Sequence, residues 1–360
     1  MKLLYITNGI NGIGGLERVL SIKASYFAEE LKYEVHIITL NEPEVAAFYK
    51  FSELITVHRV MASGKAVSYL KSYMREINRV VMMVQPDIIS VCDDGLKGLY
   101  VPLWIKKGNA GLIYERHASM RLNHSKVQSL LMKLGGLMYD KVVVLTQYNL
   151  TEWLGNNQIV IPNPISFLPQ EKATLKDKRI ICVGSISHNK GYDLLIEAWN
   201  RIVKDCPGWK IDIFGRGDIA KYQKMIDDYH LQDSICFCGP TDQVQEEMLR
   251  SSFLVLPSRS EGFGMVLIEA MACGLPCVAF DCPCGPRDIV LDGKNGLLVP
   301  PENAVLLAES MKKMIQNSAL LEEMATFAPL SVSKYEIASV AQCWQGLFMA
   351  LMKKYNRYAV

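Results

Sequence analysis

Residues 253–269 read Phe-Leu-Val-Leu-Pro-Ser-Arg-Ser-Glu-Gly-Phe-Gly-Met-Val-Leu-Ile-Glu. Phe253–Leu256 is a short continuous apolar run, the pattern of a strand covered on both faces of a parallel sheet. Pro257 to Gly264 break that run with turn-forming residues, and Met265 opens an apolar helix. Strand, loop, helix in that order places the loop beyond the carboxyl end of a strand, where open α/β sheets bind ligands. Glu261 lies in the loop and Glu269 inside the helix, an E-x7-E spacing. The amides of Gly264, Met265 and Val266 start the helix with no carbonyl a turn earlier to bond, which makes an anion site. Carboxylates on both sides of an anion repel phosphate alone. They suit a ligand whose hydroxyls lie on either side of a diphosphate, and a nucleotide-sugar has that layout. The alternative is two solvated surface glutamates.

The same alternation extends in both directions. Strand patterns are expected at Leu3–Thr7, Glu34–Leu40, Ile55–Val60, Asp87–Val91, Gly111–Glu115, Lys141–Leu145 and Gln158–Ile161. Helical stretches lie between them, such as Val67, Leu70, Met74, Ile77, Val81 with one apolar face. After Pro162-Asn163-Pro164 a polar stretch, 170–178, reads as a linker. The alternation then restarts with Arg179–Val183, Lys210–Phe214, Ile235–Cys238, Phe253–Leu256, Pro276–Phe280 and Gly296–Val299. This predicts two doubly wound α/β domains, 1–165 and 175–335. At the end, Trp344, Leu347, Phe348, Leu351, Met352 and Tyr355 form one apolar helical stripe. A helix over about 340–360 is therefore expected to pack back on the first domain. Lys353, Lys354 and Arg357 suit the negative end of its dipole or a lipid headgroup.

Composition agrees with a globular chain: 360 residues, 50% apolar and 21% charged. A net charge of +2 argues against a protein that coats nucleic acid. Residues 1–170 carry 18 Lys and Arg against 14 Asp and Glu, residues 171–360 carry 21 against 23, so the first half leans basic. Met1 and Lys2 lead directly into a strand pattern, so a cytoplasmic protein without a secretory signal is expected. The ten cysteines then read as reduced thiols. Cys273, Cys277, Cys282 and Cys284 cluster without the paired spacing of a zinc site, so no metal is assigned to them.

Two further loops follow strand patterns. Asn8 to Glu17 contains four glycines at a strand-to-helix turn, where backbone amides can approach an anion. Its G-x2-G-x-G spacing is not the dinucleotide fingerprint. None of the 16 tyrosines has a lysine four residues on, as a short-chain dehydrogenase needs. Arg179 to Gly191 is a strand, a turn and a helix start, with Lys190 placed to meet a phosphate.

Taken together, Gly14-Gly15-Leu16-Glu17-Arg18, Val183-Gly184 to Lys190-Gly191, Glu261 to Glu269, Phe280 to Asp288 and Asp292 to Leu298 resemble the retaining GT-B glycosyltransferases of family four, also called glycosyltransferase group 1. The resemblance covers nearly the whole chain. It implies two Rossmann-like domains facing a cleft, with the C-terminal helix crossing back to the first. It assigns acceptor binding to the first domain and nucleotide-sugar binding to the second.

By position, the resemblance gives Glu261 the donor sugar hydroxyls and Glu269 the ribose. Lys190 neutralises the leaving diphosphate, helped by amides at Gly15, Met265 and Val266, and Gly14, Gly264 and Ser185 complete the expected substrate-binding set. His117, in Tyr114-Glu115-Arg116-His117, contacts the transferred sugar near the reacting carbon. The implied activity is a retaining, metal-independent hexosyl transfer without a cofactor, the nucleotide-sugar being a co-substrate. The family has Arg in V-G-R where this chain has Ser185, which removes a charge-assisted phosphate contact. The stretch from Asp281 to Arg287 resembles members that use UDP-sugars, with galactose or N-acetylgalactosamine donors expected.

The expected acceptor is a glycan or lipid-linked glycan of polysaccharide biosynthesis. Lys71, Arg75 and Arg79 form a basic ridge at i, i+4, i+8, and Lys126 and Lys133 a second pair. These suggest peripheral contact with an anionic membrane at the inner face of the cell membrane, against the alternative of solvated helix faces. Ser185 motivates a second reading, a nucleotide-sugar-binding protein without transfer. A sugar-nucleotide epimerase is the third.

Overall fold

The computed structural model describes residues 1–65, 67–92, 97–120 and 125–355. The chain forms two compact units, Met1–Ser166 with Glu336–Val360, and Phe167–Tyr335.

In unit 1 the strands are β1 Lys2–Thr7, β2 Glu34–Leu40, β3 Thr56–Val60, β4 Ile88–Cys92, β5 Gly111–Glu115, β6 Lys141–Val144 and β7 Gln158–Val160. The helices are α1 Gly15–Glu29, α2 Val67–Val84, α3 Lys97–Trp104, α4 Lys126–Gly136 and α5 Gln147–Leu150. The sheet order is β3-β2-β1-β4-β5-β6-β7, parallel throughout. In unit 2, β8 Arg179–Val183, β9 Lys210–Phe214, β10 Ile235–Gly239, β11 Phe253–Leu256, β12 Cys277–Phe280 and β13 Gly296–Val299 alternate with α6 Tyr192–Ile202, α7 Ala220–Asp228, α8 Val244–Leu249, α9 Met265–Ala272 and α10 Pro286–Ile289. Then come α11 Ala304–Gln316 and α12 Ser318–Ser331. The order β10-β9-β8-β11-β12-β13 is again parallel. In both sheets the order of strands reverses beside the first strand, so each has a switch point there, between β1 and β4 and between β8 and β11.

Every expected strand is present, with shifts at the ends. Asp87 lies just outside β4 and bonds to Lys2 at the start of β1: its carboxylate accepts from the Lys2 amide at 2.8 Å and its amide donates to the Lys2 carbonyl at 2.9 Å. Pro276 lies outside β12, since proline has no amide to give to the ladder.

The closing helix, α13 Ile337–Lys354, belongs to unit 1. Trp344, Leu347, Phe348 and Leu351 are buried with Leu3, Tyr5 and Phe27, and Phe348 meets Phe27 edge-on at 5.7 Å. The helix thus completes the core of the first unit, as the apolar stripe required. Its end is held by Lys354, whose Nζ lies 2.6 Å from Asp140. That lysine is therefore spent on a contact within the unit. Arg357 lies outside the described residues.

Among the described residues no helix is long and apolar enough to cross a membrane. Cys273, Cys277, Cys282 and Cys284 are buried, and burial pushes the thiols of Cys273, Cys277 and Cys282 up.

Candidate active site

In unit 2 the loops after β8 and β11 meet across the switch point. After β8, Gly184 and the exposed Ser185 lead to a tight turn at His188–Lys190. Gly191 ends that turn with φ 68, and a Cβ there would overlap the carbonyl oxygen of Pro257, just past β11. Only glycine allows both the left-handed backbone and the close approach. The approach brings the Lys190 side chain to Glu261, Nζ to Oε1 2.6 Å, with both side chains largely buried.

Arg259 staples the two loops. Its guanidinium takes both oxygens of Asp193 at 2.9 and 2.7 Å and the His188 carbonyl at 2.7 Å, and reaches Glu302 at 3.0 Å. Its own amide donates to the Asn189 carbonyl at 2.7 Å, and the Asn189 side chain donates to the Ser260 carbonyl at 2.8 Å. A bidentate guanidinium–carboxylate pair of this kind fixes direction as well as distance. The partners hold the Asp193 carboxyl below its ordinary range against the opposing effect of burial.

Beyond Glu261, Gly264 turns the chain with φ 92 into α9. No side chain caps that helix, so the amides of Met265 and Val266 face the loop region with no intrahelical acceptor. Glu269 sits on the same helix and is buried. Gly285, with φ 124, lets the β12–α10 loop close on the Phe263 carbonyl. The Pro283 carbonyl accepts from the Glu261 amide at 3.3 Å. Arg287, a candidate stand-in for the missing arginine at Ser185, is instead bound to Asp281 through Nε at 3.0 Å. Arg216 is joined to the residue after Ser185: the Ile186 amide donates to the Arg216 carbonyl at 2.7 Å, and the Arg216 side chain is exposed without an ion pair among the described residues.

Unit 1 presents two groups of its own. Gly14 caps α1 and Gly15 begins it. Earlier in that loop the amides are less open than the glycines suggest. Those of Ile10 and Asn11 both donate to Glu42 at 2.7 Å, and the Glu17 carboxylate lies against Gly12 and Gly14. Gly15 alone among these glycines has open space on its Cβ side. His117 follows β5, and its Nε2 lies 3.2 Å from the Glu115 carboxylate. Glu115 is in turn paired with Lys23 of α1, and both are almost wholly buried. Burial opposes ionisation of Glu115, but the Lys23 ammonium and the His117 contact outweigh it and hold the carboxyl down to about 2.

The structure therefore brings Lys190, Glu261, Gly264, Met265, Val266 and Glu269 into the neighbouring loops after β8 and β11 and the helix α9 of unit 2, with Ser185 on the same loop as Lys190. Gly14, Gly15 and His117 belong to unit 1. Sequence reading missed Arg259, although it stands inside the quoted stretch, because its partners are far away in the chain. It also missed Lys23 and Glu115. The signal for Lys23 was present: it occupies an inward position of α1 between Leu20 and Phe27, where a lysine must have a partner.

The chain is similar to several known proteins. The family model for glycosyl transferases group 1 matches residues 166–330. An uncharacterized glycosyltransferase of Haemophilus influenzae is 31% identical over 362 residues, covering 96% of this chain and 99% of that protein. The amylovoran biosynthesis glycosyltransferase AmsD of Erwinia amylovora is 27% identical, covering 96% and 99%. HepE of Anabaena, solved in complex with UDP, superposes with a TM-score of 0.80 at 18% identity, covering 97% of this chain and 100% of that one. That likeness carries the fold, two parallel α/β units of the GT-B kind. With its full-length similarity to the Haemophilus protein, this chain belongs to the group 1 glycosyltransferases.

Proposed function

We propose that this protein is a retaining hexosyltransferase that moves a hexose or N-acetylhexosamine from a UDP-sugar to a glycan or lipid-linked glycan in polysaccharide biosynthesis. The observation that carries the reading is the Lys190–Glu261 pair at 2.6 Å, set at a switch point beside the uncapped start of α9. Unit 2 takes the donor: Glu269 receives the ribose hydroxyls, the amides of Gly264, Met265 and Val266 the diphosphate, and Glu261 the sugar hydroxyls. Unit 1 takes the acceptor, and in it His117 meets the transferred sugar while Gly14 and Gly15 offer amides. AmsD, named for amylovoran biosynthesis, supports the polysaccharide assignment, and the UDP bound to HepE supports the nucleotide.

Transfer requires the diphosphate to leave and an acceptor hydroxyl to capture an oxocarbenium-like carbon. The main demand is stabilising the charge that builds on the leaving phosphate. Lys190 brings one positive charge to a site with two carboxylates, Glu261 and Glu269, so the anion needs a second cation. Arg216, on the loop bonded to Ile186, is the group we assign to it. In this mechanism the acceptor attacks on the face from which the diphosphate departs, no metal is required, and Glu261 positions the sugar without forming a bond to it.

A row of exposed apolar residues supports membrane contact. On and just beyond α4, Val127, Leu130, Leu134 and Leu137 recur at helical spacing on the solvent side, with Lys126 and Lys133 on the same helix and no acidic residue between them. On α2, Lys71, Arg75 and Arg79 border an open groove with Trp104 and Lys106, although Arg75 and Arg79 share Glu76 at 3.3 and 3.0 Å. We assign this face to the surface of an anionic membrane.

Calorimetric titration with UDP, GDP and ADP, then with UDP-sugars with and without chelator, tests the reading. UDP binding, with turnover unaffected by chelator, is expected. Binding without turnover would favour the second reading, a nucleotide-sugar-binding protein, which the exposed Ser185 and the Asp281-bound Arg287 motivate. No binding of any nucleotide would end both.

A further inference from the structure

The core of unit 1 contains a charge pair that packing does not require. Lys23 and Glu115 are 2% and 1% exposed, deeper than charged groups normally lie. Two apolar side chains would join α1 to β5 as well or better, because the attraction within a buried ion pair rarely exceeds the cost of desolvating it. The surroundings are built around the pair. The Ser90 hydroxyl on β4 donates to Glu115 Oε1 at 2.5 Å. The Lys23 ammonium lies over the Trp344 ring of α13, 4.1 Å from its centroid, and 5.1 Å from that of Tyr5 on β1. Ser90 of β4 and Lys23 of α1 thus hold one carboxylate, the rings of α13 and β1 pack on the ammonium, and the Glu115 Oε2 faces Nε2 of His117 at 3.2 Å.

An ionised carboxylate can only accept a hydrogen bond, so the nitrogen facing it must carry the proton. The carboxylate sets both the direction of the ring and its tautomer. We propose that Lys23 and Glu115 are positioning residues for His117, holding its imidazole with the proton on Nε2 and its plane fixed toward the transferred sugar. Lys23 keeps Glu115 in place and in its acceptor state, and Trp344 keeps Lys23 in place. The closing helix α13 therefore contributes to the geometry of a residue that follows β5. This inference rests on the reading of His117 as a sugar-contacting group, and it adds the residues that orient it.

Two measurements test it. The first is nitrogen-15 NMR of the histidine rings of the full chain at pH 8, with the His117 signals assigned by their loss in His117→Asn. The Nε2-protonated tautomer is expected in the wild type, with its signals shifted in Glu115→Gln. The opposite tautomer in the wild type, or unchanged signals in Glu115→Gln, would overturn the proposal whether or not the protein turns over any donor. The second is UDP release from UDP-glucose, UDP-galactose and UDP-N-acetylglucosamine, with UDP affinity measured alongside. Glu115→Gln should lower kcat at least tenfold while UDP affinity stays within twofold. The charge-neutral double variant Lys23→Met/Glu115→Gln should regain thermal stability lost in Lys23→Met yet keep the low kcat. Adding Glu115→Gln to His117→Asn should cost less than a further twofold. A double variant with wild-type kcat, or fully additive losses with His117→Asn, would make the pair purely structural. A wild type that releases UDP from none of these donors would instead count against the transferase reading and leave the NMR result to decide the positioning.

Discussion

Lys190 Nζ and Glu261 Oε1 lie 2.6 Å apart although 71 residues separate them in the chain. The contact joins the loop after β8 to the loop after β11, across the point where the sheet of unit 2 reverses its order. In the proposed mechanism Lys190 is shared between this carboxylate and the diphosphate. Lys190→Ala should therefore weaken UDP binding by about ten- to a hundredfold, the loss of one charge-assisted hydrogen bond of roughly 1.5–3 kcal/mol. Glu261→Gln should leave UDP affinity within a fewfold and abolish turnover. Calorimetry and initial rates on both variants check this. Equal loss of UDP affinity in the two variants would contradict the division of roles.

Gly191 is the hinge of that contact. Gly191→Ala places a methyl group against the Pro257 carbonyl at a residue with φ 68. It should lower the melting temperature and weaken UDP binding together, since the Lys190 turn can no longer rest on the end of β11. Gly239→Ala, also at positive φ but with open space around its Cβ, is the comparison. It should carry only the smaller backbone cost, about 1 kcal/mol. Thermal unfolding monitored by circular dichroism separates the two.

Acid should destabilise unit 1 in a defined window. Glu115 is held down to about 2 despite burial, chiefly by Lys23 and His117. Asp140 is also held to about 2 against burial, by Lys354, Tyr355, the Leu112 amide and Lys107. Both folded values lie below the unfolded ones of roughly 4. The stability these groups contribute is present above pH ~4 and is lost as the pH falls through about 2. Urea unfolding between pH 5 and pH 2 should show the fall, and Lys23→Met/Glu115→Gln should flatten it. Lys23→Met alone leaves a buried carboxylate unpaired and should cost about 3–5 kcal/mol at neutral pH.

The exposed row on α4 should govern membrane contact. Flotation with phosphatidylglycerol vesicles is expected to recover the wild-type protein at low salt and less of it at high salt, because surface charges are screened. Leu130→Glu/Leu134→Glu should abolish flotation with no change in melting temperature, since both side chains already face solvent. Wild-type protein that stays at the bottom of the gradient would remove the membrane assignment.

Arg216 should matter to phosphate and not to base. Arg216→Ala should weaken UDP binding about tenfold, with uridine binding unchanged, and Ser185→Arg in that background should restore part of the loss by bringing a guanidinium back on the neighbouring loop. Equal UDP affinity in wild type and Arg216→Ala would show that the diphosphate is met by other groups.

The alternation of apolar runs and amphipathic stretches was enough to place the strands and divide the chain into two α/β halves. A strand buried on both faces must be apolar throughout, and an outer helix needs only one apolar face. The stripe of Trp344, Leu347, Phe348 and Leu351 likewise required cover, and α13 finds it in unit 1. The strand ends were less legible, because a missing amide can decide one, as at Pro276.

At the candidate site, local pattern marked the residues that sit in recognisable loops: Lys190, Glu261, Glu269, and the amides of Gly264, Met265 and Val266. What it could not contain were the pairings. Arg259 with Asp193, Lys190 with Glu261, and Lys23 with Glu115 are separated by 66, 71 and 92 residues. Such partners meet only when parallel strands bring the loops at their ends together, and a crossover connection separates those loops by dozens of residues. The same holds for the amides at Ile10 and Asn11, which look open in a glycine-rich loop and are bonded to Glu42 from the end of β2. The sequence by itself determined which segments become strands and helices and which loops lie beyond strand ends, because burial and backbone preference act locally. The tertiary structure decided which charges meet, which amides stay open and which histidine is held by a carboxylate, because each of these depends on the order of strands in the sheet.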